Sequence, residues 1–254
     1  MDIIRALRFL TIIPVPFLKD KYEDNLGKAL ACFPLIGLLL GSILAVLNYL
    51  LLFILPSPIV TVLLISALVI LTGAHHIDGL VDTCDAMAAG KTREERLAIM
   101  SDKRVGTFGI VGACLLLLTK YICLNFIISS STLLVMPVLS RWAMAGMIII
   151  FPSAKPEGMG FSAKKLATWR ESIIATATAL VVALMLVGIL KGLILCAILF
   201  LLVFGFGAFL NRLFGGLTGD CYGALNEIGE VLSLILIIIL SRSYFQIPDF
   251  HLPI

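Results

Sequence analysis

Three aspartates stand at helical spacing in one short stretch of the sequence, HHIDGLVDTCDA at residues 75–86. Asp78, Asp82 and Asp85 are four and three residues apart, so a helix through this stretch places their carboxylates on one face. Hard oxygen ligands of this kind favour Mg²⁺, Mn²⁺ or Ca²⁺ over zinc. We predict that the three aspartates bind a divalent metal, and a solvated polar helix end is the alternative.

Residues on both sides of the aspartates have types that suit a phosphate substrate. His75 lies three residues before the first aspartate and could orient a carboxylate or contact an anion, although an interfacial histidine without such a role fits equally well. The run SDKRVG at residues 101–106 places Lys103 and Arg104 beside Asp102. Two adjacent cations can hold phosphate oxygens, while Lys and Arg at a membrane edge also serve as topology anchors.

A second informative stretch is NRLFGGLTGDCYGALNEIGE at residues 211–230. Three of its glycines recur every four residues, which predicts a helix face that another helix or a substrate phosphate can approach closely. These glycines are Gly215, Gly219 and Gly223. Plain helix packing is the alternative interpretation of the same spacing.

Carboxylates of the second stretch also share a spacing. Asp220 and Glu227 are seven residues apart and Glu230 follows three residues later, so all three fall on one side of a helix. Arg141 lies within an apolar run, where a charged side chain needs a carboxylate or phosphate partner. Lys120 also lies within such a run and either snorkels to the interface or is buried.

Together these residues predict a cavity lined by acids, with cations nearby, where helices end at a membrane surface. This arrangement suits phosphoryl transfer. A divalent metal would neutralise charge on the leaving phosphate, Lys or Arg would hold its oxygens, and a carboxylate would take the proton from an incoming hydroxyl.

The elements that position these residues must be membrane-spanning helices. Of the 254 residues 60% are hydrophobic and 14% are charged, whereas a soluble domain has roughly 45–50% apolar and about 25% charged residues. The mean hydropathy is +1.10. Several apolar runs reach the roughly 20 residues that a spanning helix needs, and the strands of a membrane barrel would instead alternate apolar and polar residues.

Charge and cysteine content exclude other classes of protein. A formal net charge of +3 leaves no concentrated basic surface for a nucleic acid. The six cysteines form no CxxC pair, which argues against a disulfide framework or a zinc site. No repeat or linker divides the chain, so we predict one polytopic membrane domain over residues 1–254.

Apolar runs bounded by charge, Gly or Pro predict seven spans, so the two termini lie on opposite sides of the membrane. The predicted spans are residues 30–55, 59–77, 107–128, 133–151, 172–190, 193–210 and 230–247. Fifteen of the 19 Lys and Arg residues fall in segments on the N-terminal side and two on the opposite side. The positive-inside rule then places the N-terminus in the cytoplasm.

The N-terminal segment 1–29 is predicted to lie on the cytoplasmic side. Its apolar residues recur at helical spacing with arginines between them, which indicates a short helix lying in the interface. Pro14 and Pro16 are expected to end this helix. The segments 75–106 and 211–230 are predicted to meet on the same side and to form the active site there.

The chain resembles the cobalamin (5′-phosphate) synthase family, whose members are also called adenosylcobinamide-GDP ribazoletransferases. The resemblance covers nearly the whole chain and rests on four motifs. These are RALRFLTIIPVP at 5–16, HHIDGLVDTCDA at 75–86, IMSDKRVGTFG at 99–109 and GGLTGDCYGALNEIGE at 215–230. Ala86 stands where the family has Gly and Lys103 where it has Ser, which affects loop geometry and phosphate contacts.

The resemblance implies a specific reaction in an inner, cytoplasmic membrane. Adenosylcobinamide-GDP and α-ribazole, or its 5′-phosphate, would give adenosylcobalamin, or its 5′-phosphate, and GMP, with Mg²⁺ as cofactor. The family's acidic motif corresponds to Asp78, Asp82 and Asp85, the expected Mg²⁺ ligands. We assign catalysis to these three and Asp220, and substrate binding to His75, Asp102, Lys103, Arg104, Gly106, Arg141, Gly219 and Glu227.

Two other functions compete with this reaction. A CDP-alcohol phosphotransferase would release CMP, but the DGxxAR sequence of that class is missing here. A cation transporter would place its acids near the bilayer midplane in matching halves, whereas the acids here collect on one side. Besides membrane lipid and the two substrates no partner is indicated, and the sequence leaves homo-oligomers open.

Overall fold

The computed structural model describes residues 1–15, 26–102, 104–156 and 159–241, and the regular structure of these residues is helical. The helices are α1 (Asp2–Leu10), α2 (Leu26–Ala29), α3 (Phe33–Leu51), α4 (Ser57–Leu71), α5 (His75–Ala89), α6 (Arg93–Ile99), α7 (Thr107–Ile127), α8 (Ser130–Ile150), α9 (Met159–Leu166), α10 (Trp169–Val187), α11 (Ile189–Phe214) and α12 (Gly219–Ser241). A short 3-10 turn, Leu30–Cys32, joins α2 to α3.

Among the described residues, six stretches of helix are long and apolar enough to cross a membrane. They are Leu26–Leu51, α7, α8, α10, α11 and α12. A further pair, α4 and α5, passes the same test together but is bent by 88°, which makes seven spans if the pair is one broken span. The predicted class, an all-α multi-pass membrane protein, is confirmed.

The predicted boundaries agree with the helices within a few residues except at the second and last spans. The second predicted span, 59–77, is wrong at its end, because α4 ends at Leu71 and the chain bends before α5 begins at His75. Helix α12 begins at Gly219, eleven residues before the predicted start at residue 230. The predicted start of the last span is therefore wrong, since residues 211–214 end α11 and residues 219–230 form the first half of α12, while the assignment of residues 211–230 to the active-site side stays a prediction. Acidic residues made this half look extramembrane, and buried cations that neutralise them are described below.

The N-terminal helix has the predicted amphipathic form. Ala6 and Leu10 of α1 are buried, while Ile3 is exposed, and α1 packs against α2 and α3. The helix ends at Leu10, four residues before Pro14, because Thr11 is extended and its hydroxyl donates to the carbonyl of Leu7. Pro16 lies outside the described residues.

Helices α8 and α12 form the centre of the bundle. Helix α8 is buried along most of its length and packs most closely against α3. Two glycines of α3 allow this approach, because a Cβ would lie 2.3 Å from the Pro137 carbonyl oxygen at Gly37 and 2.6 Å from the Leu133 oxygen at Gly41. Helix α12 packs against α5, α7, α8 and α11, so it connects the core to the bent pair.

Connecting segments at one end of the bundle are joined by hydrogen bonds. The Ala154 amide donates to the Leu217 carbonyl (3.0 Å), and the Leu217 amide donates to the Pro152 carbonyl (2.8 Å). Arg93 Nε donates to the carbonyl of Phe214 at the end of α11 (2.8 Å). We call this part of the molecule the loop end, and it comprises residues 75–102, which contain α5 and α6, together with residues 104–106, 151–156 and 215–220.

Candidate active site

The bend between α4 and α5 turns the aspartate stretch across the loop end. Gly73 and Ala74 both have left-handed backbone conformations, with φ of 63° and 58°. Glycine adopts this region freely, whereas alanine does so at a cost, so the surrounding packing must hold Ala74. Helix α5 consequently leaves α4 at 88° and packs against α7 and α12.

The three predicted aspartates lie on this one helix, but their environments differ. Asp78 is exposed, Asp82 is half-buried and Asp85 is buried. The Asp82 carboxylate lies within electrostatic range of Asp78, Asp85 and Asp220, and of the ammonium of Lys155. Asp82 therefore lies between the other two aspartates of α5 and within electrostatic range of Asp220 on α12.

Asp85 uses both carboxylate oxygens to hold the first turn of α7. The amide of Gly106 donates to Oδ2 (2.7 Å) and the amide of Gly109 donates to Oδ1 (2.8 Å). A negative side chain at a helix N-terminus satisfies amides that have no partner within the helix. A Cβ would lie 2.4 Å from Asp85 Oδ1 at Gly106 and 2.5 Å from Oδ2 at Gly109. Asp85 thus joins α5 to α7, and its predicted role as a metal ligand stays a prediction.

Asp220 reaches the aspartates because α12 crosses α5 closely. A Cβ at Gly79 would lie 2.7 Å from the Asp220 carbonyl oxygen, and one at Gly223 would lie 3.2 Å from His76. These two glycines remove the side chains that would separate the helices. Of the three glycines with fourfold spacing, Gly223 therefore has the predicted packing role.

The other two glycines do not share a helix face with it. Gly215 follows the last residue of α11, with φ of 66°, and a Cβ there would lie 2.7 Å from Arg93 Nε. Gly219 begins α12, is exposed and has open space around its Cβ position. The expected continuous glycine face is wrong because the chain changes helix between Gly215 and Gly219.

Lys155 is a cation of the site that sequence reasoning counted only as a topology signal. Its ammonium donates to Ser101 Oγ (3.1 Å), and it lies within electrostatic range of Asp220 as well as Asp82. Lys155 is placed there by the bonds between the segments 151–156 and 215–218, which connect residues far apart in sequence. No local spacing signals such a contact.

Of the two cations predicted to hold phosphate oxygens, Lys103 and Arg104, the structure describes Arg104. Arg104 and Asp102 form an ion pair of 2.7 Å at the surface, and the hydrogen bonds that the exposed Arg104 guanidinium donates to the Asp102 carboxylate raise the pKa of Arg104. Lys103 lies outside the described residues. His75 is exposed, whereas the neighbouring His76 is buried, with Nδ1 3.0 Å from Asn226 Nδ2.

A second group of charged residues lies inside the bundle, on α7, α8 and α12. Lys120 Nζ donates to Glu227 Oε2 and to Glu230 Oε2, each at 2.6 Å. Arg141 donates to Glu230 Oε1 and to Ser140 Oγ. We call Lys120, Arg141, Glu227 and Glu230 the buried charge network; their side chains are at most 4% exposed.

The buried charge network pairs two cations with two anions. The expectation that Arg141 needs an acidic or phosphate partner is met by Glu230, and Lys120 is buried rather than directed to the interface. The structure therefore does not bring Arg141 and Glu227 to the carboxylates of α5 in the loop end. Their predicted contact with substrate stays a prediction.

The carboxylates of the loop end have the chemistry for a hard cation but are not gathered around one point. Within the described part of the chain, no three His, Cys, Asp or Glu side chains are close enough together to hold a metal ion. Mg²⁺ usually takes one or two carboxylates and completes its octahedron with water and substrate phosphates. Asp78 and Asp82, one helical turn apart on α5, fit that requirement, and Asp220 lies nearby.

Fold and site together define a polytopic helical membrane protein with a carboxylate-rich site at one end of its bundle. Comparison with known proteins gives the family. The family model described as cobalamin-5-phosphate synthase matches residues 2–238. The chain therefore belongs to the cobalamin-5-phosphate synthase family.

Curated relatives agree with this assignment over almost their whole length. An adenosylcobinamide-GDP ribazoletransferase of Geotalea daltonii is 38% identical over 92% of this chain and 95% of the relative. Proteins of the same name from Roseiflexus sp. and Acetivibrio thermocellus are 36% and 35% identical, over 90% and 92% of this chain and 86% and 96% of the relatives. No solved structure matches the chain.

Proposed function

We propose that this chain transfers adenosylcobinamide phosphate from adenosylcobinamide-GDP to α-ribazole or its 5′-phosphate and releases GMP. The observation that carries this proposal is that Asp78, Asp220 and the ammonium of Lys155 lie within electrostatic range of Asp82 at the loop end of a chain of this family. The relatives' name contains adenosylcobinamide-GDP and ribazole, the two reactants of this proposal. The family membership favours this reaction over a CDP-alcohol phosphotransferase or a cation transporter.

The loop end supplies groups for each part of the transfer. A ribazole hydroxyl oxygen forms a bond to the phosphorus next to cobinamide, the bond from that phosphorus to the bridging oxygen breaks, and GMP leaves with the electron pair. The half-buried carboxylate of Asp82 or Asp220 accepts the hydroxyl proton. The ammonium of Lys155 holds an anionic phosphate oxygen beside them.

Asp78 and Asp82 would hold Mg²⁺, and the metal would neutralise charge on the diphosphate. Support for this assignment is the donor chemistry of two carboxylates one helical turn apart on a solvent-accessible face of α5. Asp85 keeps α5 and the start of α7 together through its two amide contacts, which positions the other aspartates.

We further propose that the loop end faces the cytoplasm at the inner membrane. Most of the chain's Lys and Arg residues lie in the segments on this side, which supports such an orientation by the positive-inside rule. A nucleotide-linked substrate and GMP would then enter and leave from the cytoplasm.

A product assay tests the reaction. The purified protein in lipid vesicles is incubated with adenosylcobinamide-GDP, α-ribazole and Mg²⁺, with and without EDTA, and cobalamin and GMP are followed by chromatography and mass. We expect both products in equal amounts, and neither in the presence of EDTA. Absence of both products with folded, inserted protein would contradict the proposal, and formation in EDTA would contradict the metal assignment.

A further inference from the structure

A basic cavity adjoins the carboxylates of the loop end. Its volume is about 530 Å³, which lies within the usual range of about 300–1,000 Å³ for small-molecule sites. The segment 151–156 and helix α9 line it. The lining residues used below are Lys155, Phe161, Lys164 and Lys165.

Two of the three lysines of this cavity, Lys164 and Lys165, carry positive charge with no ion-pair partner among the described residues, while Lys155 lies within electrostatic range of Asp82 and Asp220. Among the described residues, none of the three forms an ion pair. Lys155 donates to the hydroxyl of Ser101 and Lys164 donates to the carbonyl of Ile149, both neutral acceptors. Burial lowers the pKa of the Lys164 ammonium, so an anion in the cavity would offset a desolvation cost that is already present.

The cavity is connected to the reaction site through one residue. Lys155 lines the cavity and also lies within electrostatic range of Asp82 and Asp220. A molecule whose anionic end contacts Lys164 and Lys165 can therefore extend past Lys155 toward these aspartates. Phe161 offers an aromatic face in the same cavity, which suits a planar base.

We propose that the lysine cavity binds the acceptor nucleotide, with Lys164 and Lys165 holding its terminal phosphate monoester and Phe161 contacting its base. This inference rests on the proposed function. A phosphate monoester carries about −1.5 to −2 charge near neutral pH, so it matches a site with uncompensated lysines. The donor's diphosphate would bind separately, beside Asp78 and Asp82. The ribose of the acceptor would lie between this diphosphate and the phosphate held by Lys164 and Lys165.

Binding and turnover of paired acceptors test the inference. Binding of α-ribazole and of α-ribazole 5′-phosphate to the vesicle-reconstituted protein is measured by calorimetry without the donor, and KM is then measured for both acceptors and for adenosylcobinamide-GDP. The variants are Lys164→Gln/Lys165→Gln and Lys165→Gln alone, the latter at an exposed position that spares the Lys164 contact with Ile149. Lys91→Gln, an exposed lysine elsewhere in the loop end, is the control.

In the double variant we expect the affinity for α-ribazole 5′-phosphate to fall, and its KM to rise, by about ten- to hundredfold, with the single variant between the double variant and the wild type. Values for α-ribazole and for adenosylcobinamide-GDP should stay unchanged, as should all values in Lys91→Gln. Equal losses for both acceptors, a loss confined to adenosylcobinamide-GDP, or no loss at all would overturn the inference. Because calorimetry needs no turnover, failure of the proposed reaction would appear separately as absence of product with α-ribazole.

Discussion

The loop end and the interior of the bundle both contain several acidic residues, but these acids are paired with cations in the interior and are not paired in the same way at the loop end. In the buried charge network two carboxylates meet two cations, all four side chains are shielded from solvent, and each acid has a cationic partner within hydrogen-bonding distance. At the loop end Asp82 lies within electrostatic range of three other aspartates, and the ammonium of Lys155 lies within the same range without forming an ion pair with Asp82.

This difference separates a role in assembly from a role in chemistry. A buried ion pair is stable only when both partners are present, so the network fixes α12 against α7 and α8. Carboxylates that lack full compensation at a solvent-accessible edge are suited to binding a cation and accepting a proton. The first region should therefore govern stability and the second activity.

The largest expected effect is on turnover, at Asp82. Asp82→Asn should lower kcat about 10²- to 10⁴-fold, because it removes a carboxylate that would bind metal or accept a proton, while the unfolding temperature in detergent changes little. Glu94→Gln, an exposed acid on α6, is the matched control and should keep normal kcat. Near-normal turnover of Asp82→Asn would exclude the aspartate site as the reaction centre.

The next effect is on stability, in the buried charge network. Lys120→Met should destabilise the fold by about 3–5 kcal/mol, because Glu227 loses its cation and stays buried. The double variant Lys120→Met/Glu227→Gln leaves the Arg141–Glu230 pair balanced and should recover a large part of this loss. Unfolding by heat and denaturant in detergent measures both variants. Simple additivity of the two substitutions would show that the network carries no such coupling.

At the crossing of α5 and α12 we expect a substitution to cause smaller losses of both stability and turnover. At Gly79 an added Cβ meets the backbone of Asp220, so Gly79→Ala should cost about 1–3 kcal/mol and also lower kcat by moving the aspartates apart. Gly205→Ala in α11 has open space around the added Cβ and serves as the control. An unchanged kcat in a destabilised Gly79→Ala protein would separate the crossing from catalysis.

The smallest expected effect is at Asp85 and distinguishes two roles for it. If its task is to hold the first turn of α7, Asp85→Asn should cost about 1–2 kcal/mol of stability and reduce kcat much less than Asp82→Asn. Thermal unfolding and kcat are compared in the same preparation. A loss of kcat as large as that of Asp82→Asn, without destabilisation, would identify Asp85 as a direct metal ligand.

Local sequence patterns predicted the elements that depend on local chemistry. Apolar runs of spanning length gave the helices within a few residues, and the spacing of Asp78, Asp82 and Asp85 correctly placed them on one helix. Helix α6 was not predicted, although Thr92 and Glu95 form the reciprocal capping contacts that their spacing suggests.

Features that depend on distant partners could not be predicted in the same way. The start of α12 was placed too late because its acids are neutralised by Lys120 and Arg141, which lie on other helices. Lys155 lies near Asp82, and Asp85 accepts hydrogen bonds from the first turn of α7. Both arrangements depend on contacts between segments that are far apart in the sequence. A single sequence shows the charges but does not show which of them meet.

A metal-binding measurement tests most directly whether the loop end carries the chemistry and the buried charge network only the stability. Mn²⁺ serves as a paramagnetic substitute for Mg²⁺, and its binding to the vesicle-reconstituted protein with adenosylcobinamide-GDP is followed by electron paramagnetic resonance. The wild type and Lys120→Met/Glu227→Gln should bind Mn²⁺ equally, whereas Asp78→Asn/Asp82→Asn should bind it at least about tenfold more weakly. Unchanged binding in the aspartate variant, or a loss confined to the network variant, would contradict the account.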